Sequence, residues 1–225
     1  NVPDDYEPTP SLRWFAEERN CDTPDLGNPK RTTNAANELG TYSGKIEFVS
    51  ESLTKHTPDD QERPVMPRYI DSWEGHKSPL ADKYPLQLLS PHPRFSFHTH
   101  YDKHTPSLDD IPGHRIKIDG YAYWPARLNP DDAEKRGIKD GDIVKLYNDR
   151  AKGVLCAAVV TGRVRPGVIH AYASSGVYDP FEPGEPNSID RGGCVNMLTS
   201  SKLISQNAPG MAPNSCLIEI EKWEA

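Results

Sequence analysis

A dense group of histidines stands out in an otherwise acidic chain. Four of the eight histidines lie between Lys83 and His104, together with three Lys or Arg residues and one Asp. We call residues 90–100, Ser-Pro-His-Pro-Arg-Phe-Ser-Phe-His-Thr-His, the histidine-rich segment. Imidazole, guanidinium and free backbone N–H groups donate hydrogen bonds, and a guanidinium can bridge two anionic oxygens. The composition therefore suits a pyrophosphate or a flat heterocycle, although a solvated loop is an equally good interpretation.

A zinc site is a weaker interpretation of the same segment. His92, His98 and His100 lack the set of cysteine or carboxylate partners that usual zinc sites have. We therefore assign no metal ligand in this chain.

A second group of residues, Gly-Gly-Cys-Val-Asn-Met-Leu-Thr at 192–199, has a different character. We call it the glycine–asparagine segment. Two glycines would let the backbone approach a ligand closely, and Asn196 offers a donor and an acceptor to the polar edge of a heterocycle. An isolated Asn is more often a turn residue, and Asn214 is equally ambiguous. The helix-turn-strand pattern at 133–144 has no nucleophile and no paired catalytic acid, so we interpret it as scaffold.

The elements that position these segments are short. Alternation and turn residues predict strands at Pro85–Leu89, Arg115–Ile118, Ala122–Ala126, Ile143–Tyr147, Val154–Val160, Val168–Tyr172 and Cys216–Ile220. A short helix is predicted with Asn129 as its cap, Pro130 at its first position and Gly137 as its stop. This pattern predicts a mainly β fold, a closed barrel with psi-type crossings.

Residues 1–82 differ, because their apolar periodicity is weak and prolines recur. We interpret them as an extended lead-in, with a helix at Ser11–Arg19 and a strand at Gly44–Val49. A disordered segment is the alternative, but four aromatic anchors favour packing on another part of a larger protein: Trp14, Phe48, Tyr69 and Trp73. The predicted barrel domain is 83–225.

Composition excludes several classes of partner. The net charge of −7 argues against nucleic acid, since affinity for the phosphate backbone comes from Lys and Arg. No apolar run approaches the roughly 18 residues that span a bilayer, and no secretory apolar region follows Asn1. This absence says nothing about the N-terminus of the parent protein, and the cytoplasmic location that we expect does not rest on it. The cysteines are widely spaced and predict reduced, buried thiols: Cys21, Cys156, Cys194 and Cys216.

Taken in order, these pieces resemble the molybdopterin-dinucleotide-binding domain at the C-terminus of the dimethyl sulfoxide reductase family. The family's motifs correspond to Ser43–Phe48, Pro85–Thr99, Ala133–Asp142, Pro166–Val168, Tyr178–Pro180 and Val195–Thr199. Within the family the chain is most similar to the phenol-transhydroxylating enzymes, on Leu12–Glu17, Ser90–His98, Asp190–Cys194 and Ile218–Trp223.

The resemblance implies an aspartate-decarboxylase-like double-psi β-barrel with short helices. It implies bis-molybdopterin guanine dinucleotide with molybdenum or tungsten, shared with N-terminal domains that would carry the catalytic residues and metal ligands. It implies as partners the remainder of a large subunit and a small iron–sulfur subunit, in an enzyme acting on a hydroxylated aromatic. The residues implied to contact the cofactor are Ser90, His92, Arg94, Phe95, His98, Thr99, Tyr178, Asp179, Asn196 and Asn214.

Two other functions stay open. A double-psi barrel can be a non-catalytic module that binds a protein or peptide. A self-contained zinc hydrolase or decarboxylase-like enzyme would need a ligand set or a self-processing Gly-Ser pair, and the sequence has no Gly-Ser dipeptide. The cofactor interpretation requires the histidine-rich segment to lie beside the glycine–asparagine segment, forming one open cleft.

Overall fold

The computed structural model describes residues 45–96, 98, 106–173, 175, 177–205 and 208–224. The chain divides into two units between Tyr69 and Ile70, whereas the sequence predicted a boundary after residue 82. The helix predicted at Ser11–Arg19 and the predicted contact residue Thr99 lie outside the described residues.

In the first unit, the strand predicted at Gly44–Val49 is wrong over its described residues. Residues 45–50 contain no strand. The side chains of Ile46 and Phe48 are both 75% exposed, so none of the described residues supplies an apolar layer for the alternation to face. Helix α1 (Glu51–His56) follows, and the Ser50 hydroxyl caps it by accepting a hydrogen bond from the Leu53 N–H at 3.2 Å.

The second unit contains short strands and two further short helices. The helices are α2 (Pro106–Asp109) and α3 (Pro130–Glu134), with 3-10 helices at Pro79–Asp82 and Val195–Leu198. The strands are β1 (Leu86–Leu89), β2 (Ile116–Ile118), β3 (Tyr121–Tyr123), β4 (Pro125–Leu128), β5 (Ile143–Asn148), β6 (Ala151–Val160), β7 (Val168–Ala171), β8 (Leu203–Ser205), β9 (Ala208–Met211) and β10 (Leu217–Lys222).

Six of these strands close into a barrel in the order β1-β10-β5-β6-β4-β7. The pairings of β1 with β7 and of β4 with β6 are parallel, and the other barrel pairings are antiparallel. Parallel neighbours need crossing connections, so the mixed pairing gives the psi-type barrel that the sequence predicted. Two hairpins, β2–β3 and β8–β9, lie outside the barrel sheet.

The barrel interior is filled by every second residue of its strands. This period places alternate side chains on one face, and burying that face is the main favourable term in folding. The inward side chains, all buried, are Leu86, Leu88, Ala126, Leu128, Val144, Leu146, Val154, Cys156, Ala158, Ile169, Ala171, Ile218 and Ile220.

The helix predicted after Asn129 is confirmed in its details. The Asn129 side-chain oxygen accepts a hydrogen bond from the Asp131 N–H at 3.0 Å, and its amide donates to the Val164 carbonyl at 2.8 Å. Pro130 begins the helix and Gly137 follows it with φ +65°. The predicted single strand at Ala122–Ala126 is instead divided at Trp124, with β3 before it and β4 after it. No helix in the described ranges has the length and apolar character that a bilayer crossing requires.

A buried carboxylate fixes the chain just before the glycine–asparagine segment. Asp190 is 0% exposed. Its side-chain oxygens accept hydrogen bonds from the N–H groups of Asp179 at 2.8 Å, Gly192 at 2.9 Å and Cys194 at 2.7 Å. A carboxylate that is removed from water persists when backbone donors replace the water, and here those donors form a tight turn.

Replacing Asp190 by alanine should therefore be strongly destabilising. It leaves three N–H groups without their acceptor, and we expect the free energy of unfolding to fall by about 3 kcal/mol or more. Denaturant unfolding measures this change. The matched control is Asp110→Ala, whose carboxylate is 68% exposed and pairs only with Lys117 among the ion pairs described, and which should cost under about 1 kcal/mol. Equal losses in the two variants would contradict the role of Asp190.

A partly buried histidine makes stability depend on pH. His170 on β7 lies opposite Arg127 on β4, with 3.3 Å between the His170 Nδ1 and the Arg127 Nη1. Burial, and then the positive charge of Arg127, lower the pKa of His170. Because this pKa is lower in the folded state, the unfolded state takes up its proton first as the pH falls.

The stability that neutral His170 contributes to the folded state is therefore fully present above the pKa of about 6.5 that the residue has when unfolded. It is lost as the pH falls toward the lower pKa of the folded state. We call the fall of the free energy of unfolding below about pH 6.5 the acid limb. We expect His170→Gln to reduce the slope of this acid limb by at most about 1.4 kcal/mol per pH unit. Unfolding curves between pH 5 and 8 measure it, and the exposed His76 provides the control substitution. An unchanged acid limb in His170→Gln would refute this assignment.

Candidate functional site

The parallel pairing of β1 and β7 brings two chain segments to one edge of the barrel. Leu88 lies opposite Ile169 and both strands run in the same direction, so their carboxyl ends meet. The histidine-rich segment follows β1, and Tyr172 and Ala173 follow β7. The Ala173 N–H donates to the Pro91 carbonyl at 3.1 Å, which joins the two exits.

The glycine–asparagine segment reaches the same place. Its 3-10 helix, Val195–Leu198, presents Asn196, whose amide donates to the Ala173 carbonyl at 3.3 Å. Ala173 thus touches both segments, through its N–H and its carbonyl. The predicted juxtaposition of the histidine-rich and glycine–asparagine segments is confirmed.

An open cavity of about 470 Å³ lies between these segments. Its lining is rich in hydroxyl groups, with one imidazole, one amide and an apolar side formed by Met211 and Pro213. No carboxylate is among the described residues that line it. The lining residues are Ser90, His92, Ala173, Asn196, Thr199, Ser200, Ser201, Met211 and Pro213.

Ser90 and Asn214, both predicted contact residues, hold each other. The Ser90 N–H donates to the Asn214 Oδ1 at 2.9 Å, and the Ser90 hydroxyl lies 3.4 Å from the same oxygen. The backbone carbonyl of Asn214 accepts from the Gln87 amide at 2.6 Å. Asn214 therefore fixes Ser90 at the cavity wall, while the contact of its own side chain with a cofactor stays a prediction.

The other predicted residues of the histidine-rich segment form ring contacts. The His92 and His98 rings meet edge to face at 4.9 Å, and His98 has a positive φ of 53°. The Arg94 guanidinium lies 5.4 Å from the ring centroid of Phe95, which is 45% exposed. His92 lines the cavity, whereas Arg94, Phe95 and His98 are not among its lining residues. Within the described ranges no three His, Cys, Asp or Glu side chains are arranged to hold a metal ion.

Tyr178 and Asp179 are not among the residues that line the cavity, and Asp179 contacts a different group of residues. Tyr178 is 53% exposed, and the Asp179 carboxylate accepts from the Tyr121 hydroxyl at 2.9 Å and pairs with Arg191 at 3.0 Å. Burial, followed by the hydrogen bond to Asp179, raises the pKa of Tyr121, which keeps that hydroxyl protonated as a donor. Neither Tyr178 nor Asp179 lines the cavity, and their cofactor contacts stay predictions.

The interpretation of Gly192 and Gly193 as room for a ligand is wrong. A Cβ on Gly192 would lie 1.9 Å from the Val177 carbonyl oxygen. Gly193 has φ +81°, and a Cβ there would lie 2.6 Å from the Cδ1 of Trp124. Both glycines are buried and allow close approach of the protein to itself.

The end of the 3-10 helix is held by a buried network that the sequence did not reveal. The Leu198 carbonyl accepts from the Asn148 amide at 2.9 Å, the Arg150 guanidinium at 3.1 Å and the Cys216 thiol at 3.2 Å. Burial raises the pKa of Cys216 to about 12, so the thiol stays protonated and can donate. Glu74 pairs with Arg150 and accepts from the Leu217 N–H at 3.1 Å, which ties residue 74 to the barrel.

Sequence reasoning also missed Thr199, Ser200 and Ser201, which continue the cavity wall. A run of three hydroxyl residues that begins three positions after Asn196 was the available signal, because such a run concentrates small donors. Met211 and Pro213 come from β9 and the residues after it, and no local pattern marked them.

Comparison with known proteins identifies relatives that are much longer. The chain is 48% identical to the pyrogallol hydroxytransferase large subunit of Pelobacter acidigallici, over 99% of this chain and 26% of that protein. It is 35% identical to the dimethyl sulfoxide/trimethylamine N-oxide reductase of Rhodobacter capsulatus, over 83% of this chain and 21% of that protein. The chain thus spans about a quarter or less of the relatives it matches.

A solved structure shares the fold. The acetylene hydratase of Pelobacter acetylenicus superposes with a TM-score of 0.58 at 20% identity, over 84% of this chain and 25% of that chain. The family described as "Molydopterin dinucleotide binding domain" matches residues 86–217, which include β1 and the first residue of β10. This match favours a cofactor-binding role over a module that binds a protein or peptide. The chain therefore belongs to the Molydopterin dinucleotide binding domain family.

Proposed function

We propose that the barrel unit forms one wall of the cleft that binds bis-molybdopterin guanine dinucleotide in a larger molybdenum or tungsten enzyme. The observation that carries the proposal is the open cavity between the histidine-rich segment and the glycine–asparagine segment. Its volume of about 470 Å³ is in the range of small-molecule sites. No catalytic residue is assigned to this chain.

The cavity's donor set fits this cofactor. A pterin is flat and has donors and acceptors along its edge, which an amide such as Asn196 can match. The hydroxyls of Ser200 and Ser201 can donate to phosphate oxygens, and the described lining has no carboxylate to repel them. The hydroxyls of Ser90 and Thr199 already donate to the Asn214 Oδ1 and to the Asn196 carbonyl. Just behind these segments, the indole Nε1 of buried Trp124 has no hydrogen-bond partner among the described residues.

The remaining predicted contact residues extend this surface beyond the cavity. Arg94 lies on the same loop as His92 and carries a fixed positive charge that would offset phosphate charge. Phe95 and His98, exposed beside it, offer flat faces and a ring N–H. We propose that these residues, Thr99, Tyr178, Asp179 and Asn214 contact the dinucleotide or hold the residues that do.

When bound, the cofactor's metal supplies the redox or oxygen-transfer chemistry. The role of this chain's own residues is to bind and orient the cofactor. Ser90 is held by Asn214, and the 3-10 helix carrying Asn196 is held through the Leu198 carbonyl. A donor that is already fixed costs little ordering entropy when it binds, so these networks pre-organise the cleft.

We propose that the parent enzyme acts on a hydroxylated aromatic, as a transhydroxylase. The support is the 48% identity to a pyrogallol hydroxytransferase large subunit along nearly the whole chain. That relative is a large subunit, which supports a second, smaller subunit as a partner; an iron–sulfur subunit is the proposed one. Two buried thiols, Cys156 and Cys216, are consistent with a reducing, cytoplasmic location.

The remainder of the large subunit is the proposed neighbour of two apolar surfaces. Leu203, Ile204 and Met211 of the β8–β9 hairpin are 44%, 41% and 49% exposed, and Met211 lines the cavity. In the first unit, Ile46 and Phe48 are exposed. Exposed apolar side chains in a chain that spans a quarter of its relatives suit covering by the missing domains. We propose that the lead-in, residues 1–82, packs on the rest of the parent enzyme, and that residues 83–225 form the cofactor domain.

Substitution of Asn196 or Arg94 tests the cofactor proposal in the full-length enzyme. Asn196→Ala removes a donor–acceptor pair, and Arg94→Ala removes a charged donor. Loss of one such hydrogen bond in a buried contact weakens affinity by roughly 5- to 150-fold. We expect a lower metal-to-protein ratio by elemental analysis and faster release of extractable pterin.

Arg163→Ala is the matched control, because Arg163 is exposed in the turn between β6 and β7 and lies outside the cavity lining. It should keep its full cofactor content. Retention of metal and pterin in both site variants, equal to that of the control, would refute the assignments. Absence of pterin from the unaltered enzyme would refute the function itself.

A further inference from the structure

Trp124 lies behind the cavity and is almost completely buried, with 1% exposure. It stands at the break between β3 and β4, and the Arg115 guanidinium lies 3.6 Å from its ring centroid. Trp124 is not among the residues that line the cavity. It nevertheless contacts residues that lead to three of the four chain segments that line the cavity, the exception being the segment of Met211 and Pro213.

The first contact leads to the histidine-rich segment. The His114 ring meets the indole edge to face at 5.1 Å. On its other side, His114 lies 6.1 Å from the Phe95 ring, and its Nε2 is 3.4 Å from the Ser96 hydroxyl. His114 is itself buried, so a shift of the indole is passed to the loop that bears Ser90 and His92.

The second contact leads to the exit of β7. The Tyr172 ring lies 5.8 Å from the indole. Tyr172 directly precedes Ala173, which lines the cavity and bonds to both Pro91 and Asn196.

The third contact is the closest. Gly193 lies against the indole so tightly that a Cβ would be 2.6 Å from Cδ1 and 3.1 Å from the Cβ of Trp124. Gly193 stands two residues before the 3-10 helix that carries Asn196. Because there is no room for even one more carbon atom between Gly193 and the indole, the indole sets how closely the glycine–asparagine segment can approach the barrel.

We propose that Trp124 is a positioning residue that sets the separation between the walls of the cofactor cavity. Its bulk holds Gly193, Tyr172 and His114 at fixed distances, and through them three of the four segments that line the cavity. This inference rests on the proposed function, because it assigns to Trp124 the width of that same site.

Gly193→Ala in the full-length enzyme tests the proposal. The new methyl group must push the indole or the glycine–asparagine segment aside. A positive φ adds strain of its own, so the matched control is Gly120→Ala: Gly120 has φ +80° and nothing within 4 Å of its Cβ position. The two variants share the backbone strain and differ in the contact with Trp124.

We expect Gly193→Ala to release cofactor about tenfold faster than Gly120→Ala, with a shifted spectrum of the bound metal. Adding Trp124→Leu to Gly193→Ala should recover part of the loss, because a leucine side chain can turn away from the methyl group. Trp124→Phe is the second test if Gly193→Ala does not fold. It should release cofactor several-fold faster than the unaltered enzyme and shift the spectrum of the bound metal, while the smaller buried ring lowers the melting temperature moderately.

Equal cofactor release in Gly193→Ala and Gly120→Ala, or no rescue in the double variant, would overturn the role of Trp124. Unaltered release and an unaltered metal spectrum in Trp124→Phe would do the same. These results leave the proposed function standing if the unaltered enzyme contains pterin. An unaltered enzyme without pterin would refute the proposed function and this inference with it.

Discussion

The site depends on the parallel pairing of β1 with β7. Antiparallel neighbours would send their exits to opposite ends of the barrel, whereas parallel neighbours send both to the same end. Here the loop after β1 and the residues after β7 leave together and are joined by the hydrogen bond from Ala173 to Pro91. The glycine–asparagine segment then completes the cavity through Asn196, and the turn built on Asp190 fixes its approach. The barrel's topology, more than any single residue, makes one cleft from distant parts of the chain.

Much of the barrel could be predicted from the sequence because its signals are local. Period-two alternation located the strands, and Asn129, Pro130 and Gly137 marked a helix whose start and stop the structure reproduces. The same alternation misled at Gly44–Val49, where Ile46 and Phe48 are exposed and none of the described residues buries them. Alternating apolar residues form a strand only when a neighbouring strand can pair with them and a core can bury their apolar face. A short stretch of sequence reveals neither of these.

The segments that form the candidate site could be predicted in outline, but the contacts that hold those segments in place could not. The histidine-rich segment and Asn196 were identified by residue type, and the cavity brings His92 and Asn196 together. The two glycines correctly signalled close approach, but their neighbours are Trp124 and Val177 instead of a ligand. The networks around the Leu198 carbonyl and Trp124 join residues far apart in sequence, and a single chain read along its length gives no sign of such contacts.

Amide hydrogen exchange of the full-length enzyme, compared with and without bound cofactor, tests the central claim most directly. If the cavity receives the dinucleotide, the amides of 90–96 and 195–201 exchange more slowly in the loaded protein, because the ligand covers and orders them. Peptides from β10, inside the barrel sheet, exchange equally in both forms. Equal exchange of 90–96 and 195–201 in the two forms, with slowing only elsewhere, would contradict the account.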